Sequence, residues 1–544
     1  MHEVVITNGR IVDGTGNLWY KSDIGIDNGM IADIGSNLKG ETEIDASGKV
    51  VCPGFIDMHS HTDFILPFYC SMDSFVHQGI TTCVVGMCGS SLAPVCPGKE
   101  EEFRKQASAF IPFFRDLDFT WHTFSEYLSE LEKSSVPCNV APVVGYESIR
   151  MAGGPGFEDR APTPEELITM KGHVREAMEA GAFGMSTGLI YAPQTYATTE
   201  ELVELVRVVS QYGGLYFSHI RGEGKTLMEA IQEFIKIVEE SGCRGGQIAH
   251  FKVSGKEYWG KSVEALRLVE EANERGINVT YDSYPYDRGF SSLVTTLPPW
   301  AREGGLEKTL QRLGEPAIRE RIKEEIVNDV PYESWENWIK TNGVEKLYVS
   351  RVNQEKWKDI EGKNLSEITA IKGFSDEWEA LFTLLLDEEL GVQITLESMC
   401  EDDIRRIMTS RYHMVGTDGL GIPQNPELGT FHPRFFGTYP RILGKYVREE
   451  KVLTLEDAVR RMTSFPALRL GLHDRGILKK HMWADIVIFD PDIVIDTATY
   501  QDPHQFPEGI CHVIVNGHIV LENGEQVDAS PGRVLRRHFK ILQE

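Results

Sequence analysis

Two histidines one residue apart, His59 and His61, stand at the end of the apolar run VVCPGFIDMHSH (50 to 61). In an extended strand, residues i and i+2 project to the same side, so both imidazoles can reach one metal ion. Such a pair carries little weight alone, because His-x-His arises by chance in long chains. Four further ligand-type residues follow other short apolar runs at the equivalent place: Cys88 in GITTCVVGMCG, His219 in LYFSHIRG, His250 in QIAHFKVSG and Asp418 in YHMVGTDG. Buried cysteine often serves only as a small hydrophobe, and buried histidine often only bonds a carbonyl. Six such residues on five strand ends are poorly explained that way. Imidazoles with one thiolate and one carboxylate suit zinc better than magnesium or calcium, which take oxygen shells. These ligands are spread from 59 to 418. They meet only if the whole domain folds, which is how catalytic sites with an open coordination position are built.

The elements that must position them alternate short strands with amphipathic helices, the rhythm of a parallel sheet or barrel. Eight candidate strands are legible, at 50 to 61, 79 to 89, 139 to 148, 182 to 189, 215 to 222, 247 to 255, 278 to 286 and 412 to 419. Eight units fit an α/β fold of the (β/α)8 TIM-barrel type, whose sites lie at the C-terminal strand ends. The helix over 164 to 181 starts at Thr-Pro and stops at Gly181. Between strands seven and eight, residues 290 to 410 are rich in charge and helix formers, too long for a loop, and read as a helical insertion or lid. Residues 2 to 12, 23 to 34 and 42 to 52 alternate apolar and polar residues around Asn-Gly or Ser-Gly turns, and 484 to 494 and 512 to 525 are short strands in the same style, the latter around Asn-Gly, which predicts antiparallel hairpins. The termini are therefore expected to meet in one small β-sandwich domain, 1–54 with 478–544, flanking a catalytic barrel over 55–477.

Composition narrows the partners. With 55 Lys+Arg against 82 Asp+Glu the net charge of the 544 residues is −27, which repels phosphate backbones and anionic lipid, and the short basic tail RVLRRHFK does not reverse it. No nucleic acid and no membrane partner is expected. The start of the chain lacks a basic region followed by an apolar run, and the longest uncharged stretch, Gly79 to Gly98, is too rich in Gly, Pro and Ser/Thr to span a bilayer. Nine scattered cysteines do not form a disulfide framework and point to a reducing, cytoplasmic setting.

Taken together, His59-Ser60-His61 after PGFID, GMCGSSLAP around Cys88, GAFGMSTGLIYAP, SHIRGEG, AHFKVSG, YDSYPY, LPPWAREGG, GTDG and MTSFPALRLGL resemble the D-aminoacylase (N-acyl-D-amino-acid deacylase) branch of the amidohydrolase superfamily, essentially end to end. The resemblance implies a metal-bearing barrel with a β domain from both termini. It implies that Cys88, His219 and His250 hold one tight Zn2+, that His59, His61 and Asp418, with Cys88 bridging, form a weaker second position, and that Asp418 is the general acid/base. Two places depart from the family pattern: Gly145-Tyr146 stands where Gly-His is common, and Lys480-His481-Met482-Trp483 replaces a glycine-bearing turn.

The implied reaction is zinc-dependent hydrolysis of an N-acyl-D-amino acid to a carboxylate and a free D-amino acid. A metal-bound water is the nucleophile, and Asp418 passes its proton to the amine. A free α-carboxylate needs a fixed cation. Lys252, two residues beyond His250 on the same face, is placed for it; Arg434 in FHPRFFG is a second candidate, and Tyr191 and Tyr284 are hydrogen-bond donors, all four matching family substrate contacts. Two rival readings are a cyclic-amide hydrolase of the hydantoinase or dihydroorotase kind and a non-catalytic metal-binding barrel. The first usually bridges its metals with a carboxylated lysine on strand four, where AFGMSTGL has none; the second is disfavoured by the presence of all six ligands.

Overall fold

Each of the eight apolar runs holds one short parallel strand. They are Phe55–Asp57, Ile80–Val85, Asn139–Pro142 continued by Val144–Gly145, Gly184–Gly188, Leu215–His219, Gly246–Ile248, Val279–Ser283 and His413–Val415, called strands one to eight below. The computed structural model describes residues 1–110, 114 and 116–537; the end of the basic tail, from 538 onward, lies outside them. Strands pair in parallel from Phe55 against Ile80 round to Tyr281 against His413. A parallel bridge between Ser60 and Gly419, with the Met58 amide donating to the Val415 carbonyl at 3.3 Å, joins strand eight to strand one. The ring so closed is a (β/α)8 barrel, with no free edge. Its interior is filled by residues such as Ile56, Val84, Val143, Phe217, Ala249 and Met414.

The helix Pro164–Ala180 shows why the surrounding layer forms where it does. Thr163 accepts from the Glu166 amide, Glu166 accepts in return from the Thr163 amide at 2.7 Å, Pro164 occupies the first turn, and Gly181 ends the helix at φ 107°. Two runs divide. Residues 50 to 61 split into Val50–Pro53, which joins the terminal β layers, and strand one. In 139 to 148 the strand stops at Gly145, and Tyr146 opens the helix Tyr146–Gly153.

The segment between strands seven and eight holds helices, among them Gly305–Gly314, Pro316–Val327 and Glu377–Asp387, as its charge pattern predicts. It also holds a three-stranded antiparallel sheet that was not expected: Gln393–Glu397 lies between Arg288–Ser292 and Leu347–Arg351. These strands are short and come from distant parts of the segment, so no local turn announces them. A core of its own, with Leu293, Leu313, Trp338, Leu381 and Ile394, holds the segment together.

The termini build two sheets that face one another, the first from the N-terminal segment alone and the second from both ends of the chain. One orders Met30–Gly35, Asp23–Asp27, His2–Thr7 and Gly40–Asp45; the other runs from Glu525–Gln526 through Ile486–Phe489 and Val50–Pro53 to Tyr20–Lys21. Ile6, Ile24 and Ile44 of the first meet Val51, Ile488 and Ile514 of the second. The Asn28-Gly29 and Asn516-Gly517 turns are hairpins with both residues at positive φ. The stretches 2 to 12, 42 to 52 and 484 to 494 are not; the last holds the single strand Ile486–Phe489, which pairs with Ile510–Val515 and Val50–Pro53. His2–Thr7 and Arg10–Ile11 lie in different sheets, as do Gly40–Asp45 and Val50–Pro53, because the alternating apolar residues on either side of each turn fill the space between the layers.

Candidate metal centre

All six candidate ligands come together at the C-terminal mouth of the barrel. Cys88 Sγ lies 3.3 Å from His59 Nε2, 3.4 Å from His250 Nε2 and 3.9 Å from His219 Nδ1. Asp418 Oδ1 lies 3.4 Å from His59 Nε2 and 3.3 Å from His61 Nε2. Donor atoms of His59, Cys88 and His250 fall within 4.8 Å of one another, as do those of His59, His61 and Asp418.

The backbone works to aim them. Cys88, His250 and Asp418 adopt φ of 51°, 34° and 48°, left-handed values that cost a non-glycine residue about 1 to 3 kcal/mol and persist where the surroundings over-determine them. Those surroundings are on view around Cys88. Its carbonyl accepts from Gln194 Nε2 at 3.0 Å, and a Cβ at Gly188 would stand 2.2 Å from that same oxygen, so only glycine lets strand four pass. Around Asp418, the buried Asp57 accepts from the Thr417 amide at 2.8 Å and hydroxyl at 2.6 Å, and from the His59 amide at 3.2 Å, tying strand eight to strand one.

Carboxylates behind the histidines set which nitrogen faces the cluster. Asp282, on strand seven, lies 3.1 Å from His59 Nδ1 and accepts from the His250 amide at 2.8 Å. Glu223 Oε1 lies 3.2 Å from His250 Nδ1 and 3.4 Å from His219 Nε2 without hydrogen-bonding the latter, and Lys252 Nζ stands 2.7 Å from the same His250 Nδ1; His250 Nε2 and His219 Nδ1 face the sulfur side. Sequence reasoning did not single out Asp57, Asp282 or Glu223. An available signal was an aspartate inside an apolar core strand, which must be paired to be buried.

The electrostatics suit a cation. Burial alone would raise the Cys88 thiol, but the imidazoles of His59 and His250 outweigh it and hold it well below the usual thiol value. Burial likewise opposes ionisation of Asp418, and Arg434, then His59 and His250, override it and hold the carboxyl well below its ordinary range. Burial would lower His61, yet Asp418 and Cys88 lift it to about 9. The thiolate and carboxylate are thus balanced by protons on neighbouring imidazoles, where a divalent ion supplies the same charge and displaces them. A buried thiolate, imidazoles oriented by carboxylates, and one carboxylate fit zinc.

The predicted substrate residues line the adjoining cavity of about 220 Å³. Arg434 pairs through Nη2 with Asp418 Oδ2 at 2.9 Å and donates from Nε to the Asp418 carbonyl at 2.8 Å. Lys252 Nζ meets Glu223 Oε1 at 2.6 Å and lies 2.7 Å from His250 Nδ1. The Tyr284 ring lies 4.4 Å from the Arg434 guanidinium and 5.8 Å from Lys252 Nζ, and the Tyr191 ring packs edge-on to His219 at 5.1 Å. Of the departures, Tyr146 has its hydroxyl engaged by Glu201 and Arg150, and Lys480 pairs with Asp33 at 2.7 Å on the β layers.

The amidohydrolase family profile matches residues 42–521. D-aminoacylase of Alcaligenes xylosoxydans xylosoxydans is 33% identical over 542 residues, 98% of each chain. The crystal structure of N-acyl-D-glutamate deacylase from Bordetella bronchiseptica, complexed with zinc and a phosphonate mimic of the tetrahedral intermediate, superposes with TM-score 0.82 at 32% identity, covering 98% of this chain and 99% of that one. A D-aminoacylase structure describing a binuclear metal centre gives TM-score 0.80 at 31% identity over 99% and 100% of the two chains. With the barrel and the buried thiolate–imidazole–carboxylate cluster in place, the chain belongs to the amidohydrolase family, in its D-aminoacylase (N-acyl-D-amino-acid deacylase) branch.

Proposed function

We propose that this protein hydrolyses the amide bond of N-acyl-D-amino acids, giving a carboxylate such as acetate and a free D-amino acid, with zinc as cofactor. The observation that carries the reading is the meeting of Cys88, three imidazoles and the Asp418–Arg434 pair at one end of the barrel. The relatives' deacylase activities favour linear N-acyl-D-amino acids. Strand four, Gly184–Gly188, offers no lysine, and Cys88 stands between the two ligand groups, which favours the linear amide over a cyclic one.

Cys88, His219 and His250 would hold the first ion, and His59, His61 and Asp418, with Cys88 shared, a weaker second. Zinc, when bound, supplies Lewis acidity for the acyl oxygen and lowers the pKa of water from 15.7 towards about 7. Asp418 takes a proton from the attacking water on its carboxylate and delivers it to the departing nitrogen. Arg434 keeps that carboxylate ionised and fixed. Its Nη1, buried with no hydrogen-bond partner among the described residues, is the donor left for the substrate α-carboxylate. Lys252 adds positive charge beside it, Tyr284 separates the two cations, and Tyr191 offers a hydroxyl from the strand-four loop. The insertion walls the cavity and limits water.

No helix among the described residues is long and apolar enough to cross a membrane. The nine cysteines, all unpaired, fit a reducing compartment, and we assign the protein to the cytoplasm. The test is a panel of N-acetyl-D- and N-acetyl-L-amino acids and hydantoins with the zinc-loaded enzyme, alongside metal analysis. Amine release from the D-series is expected. Opening of hydantoins with no amine release from any N-acyl-D-amino acid would replace this reading with the cyclic-amide one.

A further inference from the structure

Three cationic side chains line the cavity beside the metal cluster: Lys252, Arg434 and Arg302. The first two have acidic partners in the chain, Glu223 and Asp418. Arg302 has none among the described residues. It is 4% exposed. Its Nη1 donates to the Ile190 carbonyl at 3.1 Å, while Nε and Nη2 are buried with no hydrogen-bond partner. Burial draws its pKa below that of an ordinary guanidinium, opposed only by Tyr196 and Tyr191. In a protein of net charge −27, partners were plentiful. A buried guanidinium left unpaired is costly, and is retained where a ligand completes it.

Arg302 is also held in place. It ends the helix Pro299–Arg302, whose Pro299 carbonyl accepts from the Tyr196 hydroxyl at 2.9 Å. Ile190, which takes its one hydrogen bond, precedes Tyr191, whose ring lies against His219. The guanidinium is therefore fixed to the loop that borders the metal cluster. Much of the remaining wall is apolar, with Phe64, Phe157, Phe290, Leu306 and Trp338. The other acid there, Glu147, receives the Ser90 hydroxyl at 2.6 Å and is pushed by burial up to about 7, so near neutrality it offers Arg302 no full counter-charge.

We propose that Arg302 recognises a second carboxylate on the substrate, distinct from the α-carboxylate, so that the preferred substrates are N-acyl amino acids bearing two carboxylates. The second one comes either from an acidic side chain, as in N-acetyl-D-glutamate or N-acetyl-D-aspartate, or from a dicarboxylic acyl group, as in N-succinyl-D-leucine. This rests on the deacylase reading above. A neutral apolar substrate fills the same walls but leaves the guanidinium without a partner, which is where discrimination arises.

The experiment measures kcat/KM of the zinc-loaded protein for those three compounds, N-acetyl-D-leucine and N-acetyl-D-lysine, in the wild type, Arg302→Met and Arg302→Lys. At least one dicarboxylate is expected to exceed N-acetyl-D-leucine by about 100-fold, the scale of a desolvated charge pair. That ratio should collapse in Arg302→Met and be partly kept in Arg302→Lys. The glutamate and succinyl arms identify which end of the substrate carries the charge. Should Arg302→Met fail to fold, inhibition of the wild type by D-glutamate and succinate against D-leucine and acetate decides the same point. A wild type preferring the leucine or lysine compound, or an Arg302→Met variant that loses all substrates in equal proportion, overturns the proposal. Failure to turn over any N-acyl-D-amino acid would instead overturn the deacylase reading.

Discussion

Lys252 Nζ lies 2.6 Å from Glu223 Oε1, the same oxygen that stands 3.2 Å from His250 Nδ1 and 3.4 Å from His219 Nε2. One carboxylate oxygen thus lies against two histidines of the candidate metal centre and the lysine beside the cavity, and its charge acts on all three. Loss of a carboxylate behind a ligating histidine typically costs 10- to 100-fold in metal affinity. Glu223→Gln should weaken zinc by about that factor in chelator competition while the circular dichroism spectrum is kept. Unchanged affinity would remove Glu223 from this role.

Cys88 is the one soft candidate ligand in the cluster, and its thiolate is held by His59 and His250 against burial. Cys88→Ala is expected to purify with far less than one zinc per chain and to lack deacylase activity, neither recovered by excess zinc. A fully loaded, active Cys88→Ala protein would contradict the assignment.

Asp418 faces His59 and His61 through Oδ1 and Arg434 through Oδ2. Asp418→Asn preserves shape but removes the proton acceptor, so kcat should fall about 10²- to 10⁴-fold with the tight zinc retained. Turnover near the wild-type value in a zinc-loaded Asp418→Asn enzyme would exclude it as the acid/base.

At Gly188 a methyl group would sit 2.2 Å from the Cys88 carbonyl, a backbone atom with nowhere to yield. Gly188→Ala should lower the urea midpoint by an amount equivalent to about 1 to 3 kcal/mol and loosen zinc binding together with it. A loss of neither would show that strand four can shift.

His413 is buried, its Nε2 lies 2.9 Å from Ser283 Oγ, and burial, then Arg461, holds its pKa well below 6.5. The folded state therefore keeps His413 neutral where the unfolded chain binds a proton. Its contribution to stability is full above about pH 6.5 and is lost as the pH falls from there towards the depressed folded value. Urea unfolding between pH 7.5 and 5 should show a smaller loss of stability in His413→Gln than in the wild type; identical slopes would assign the acid sensitivity to other groups.

Much of the barrel was readable because each strand is a short apolar run, five of the eight closed by a ligand-type residue, and the capping box at Thr163 and Glu166 is a local signal that needs no tertiary context. The three-stranded sheet of the insertion was not readable. Its central strand, Gln393–Glu397, pairs with partners about 45 and 100 positions earlier, and β pairing at such separations leaves no periodic trace in the chain. The same holds for the crossings at 8 to 9 and 46 to 49, where a hairpin turn sequence instead passes the chain between two layers.

Residue types and their place after apolar runs pointed to the side chains that come together at the barrel mouth: two histidines on one strand face, a thiol, two further imidazoles and an aspartate. Only the tertiary structure decided how they are aimed. Left-handed backbone at Cys88, His250 and Asp418, the carboxylates of Glu223 and Asp282 behind the imidazoles, and the solitary charge of Arg302 all depend on which distant groups come within a few ångströms. Closure of the ring sets those distances, because it brings strand one beside strand eight, more than 350 residues away.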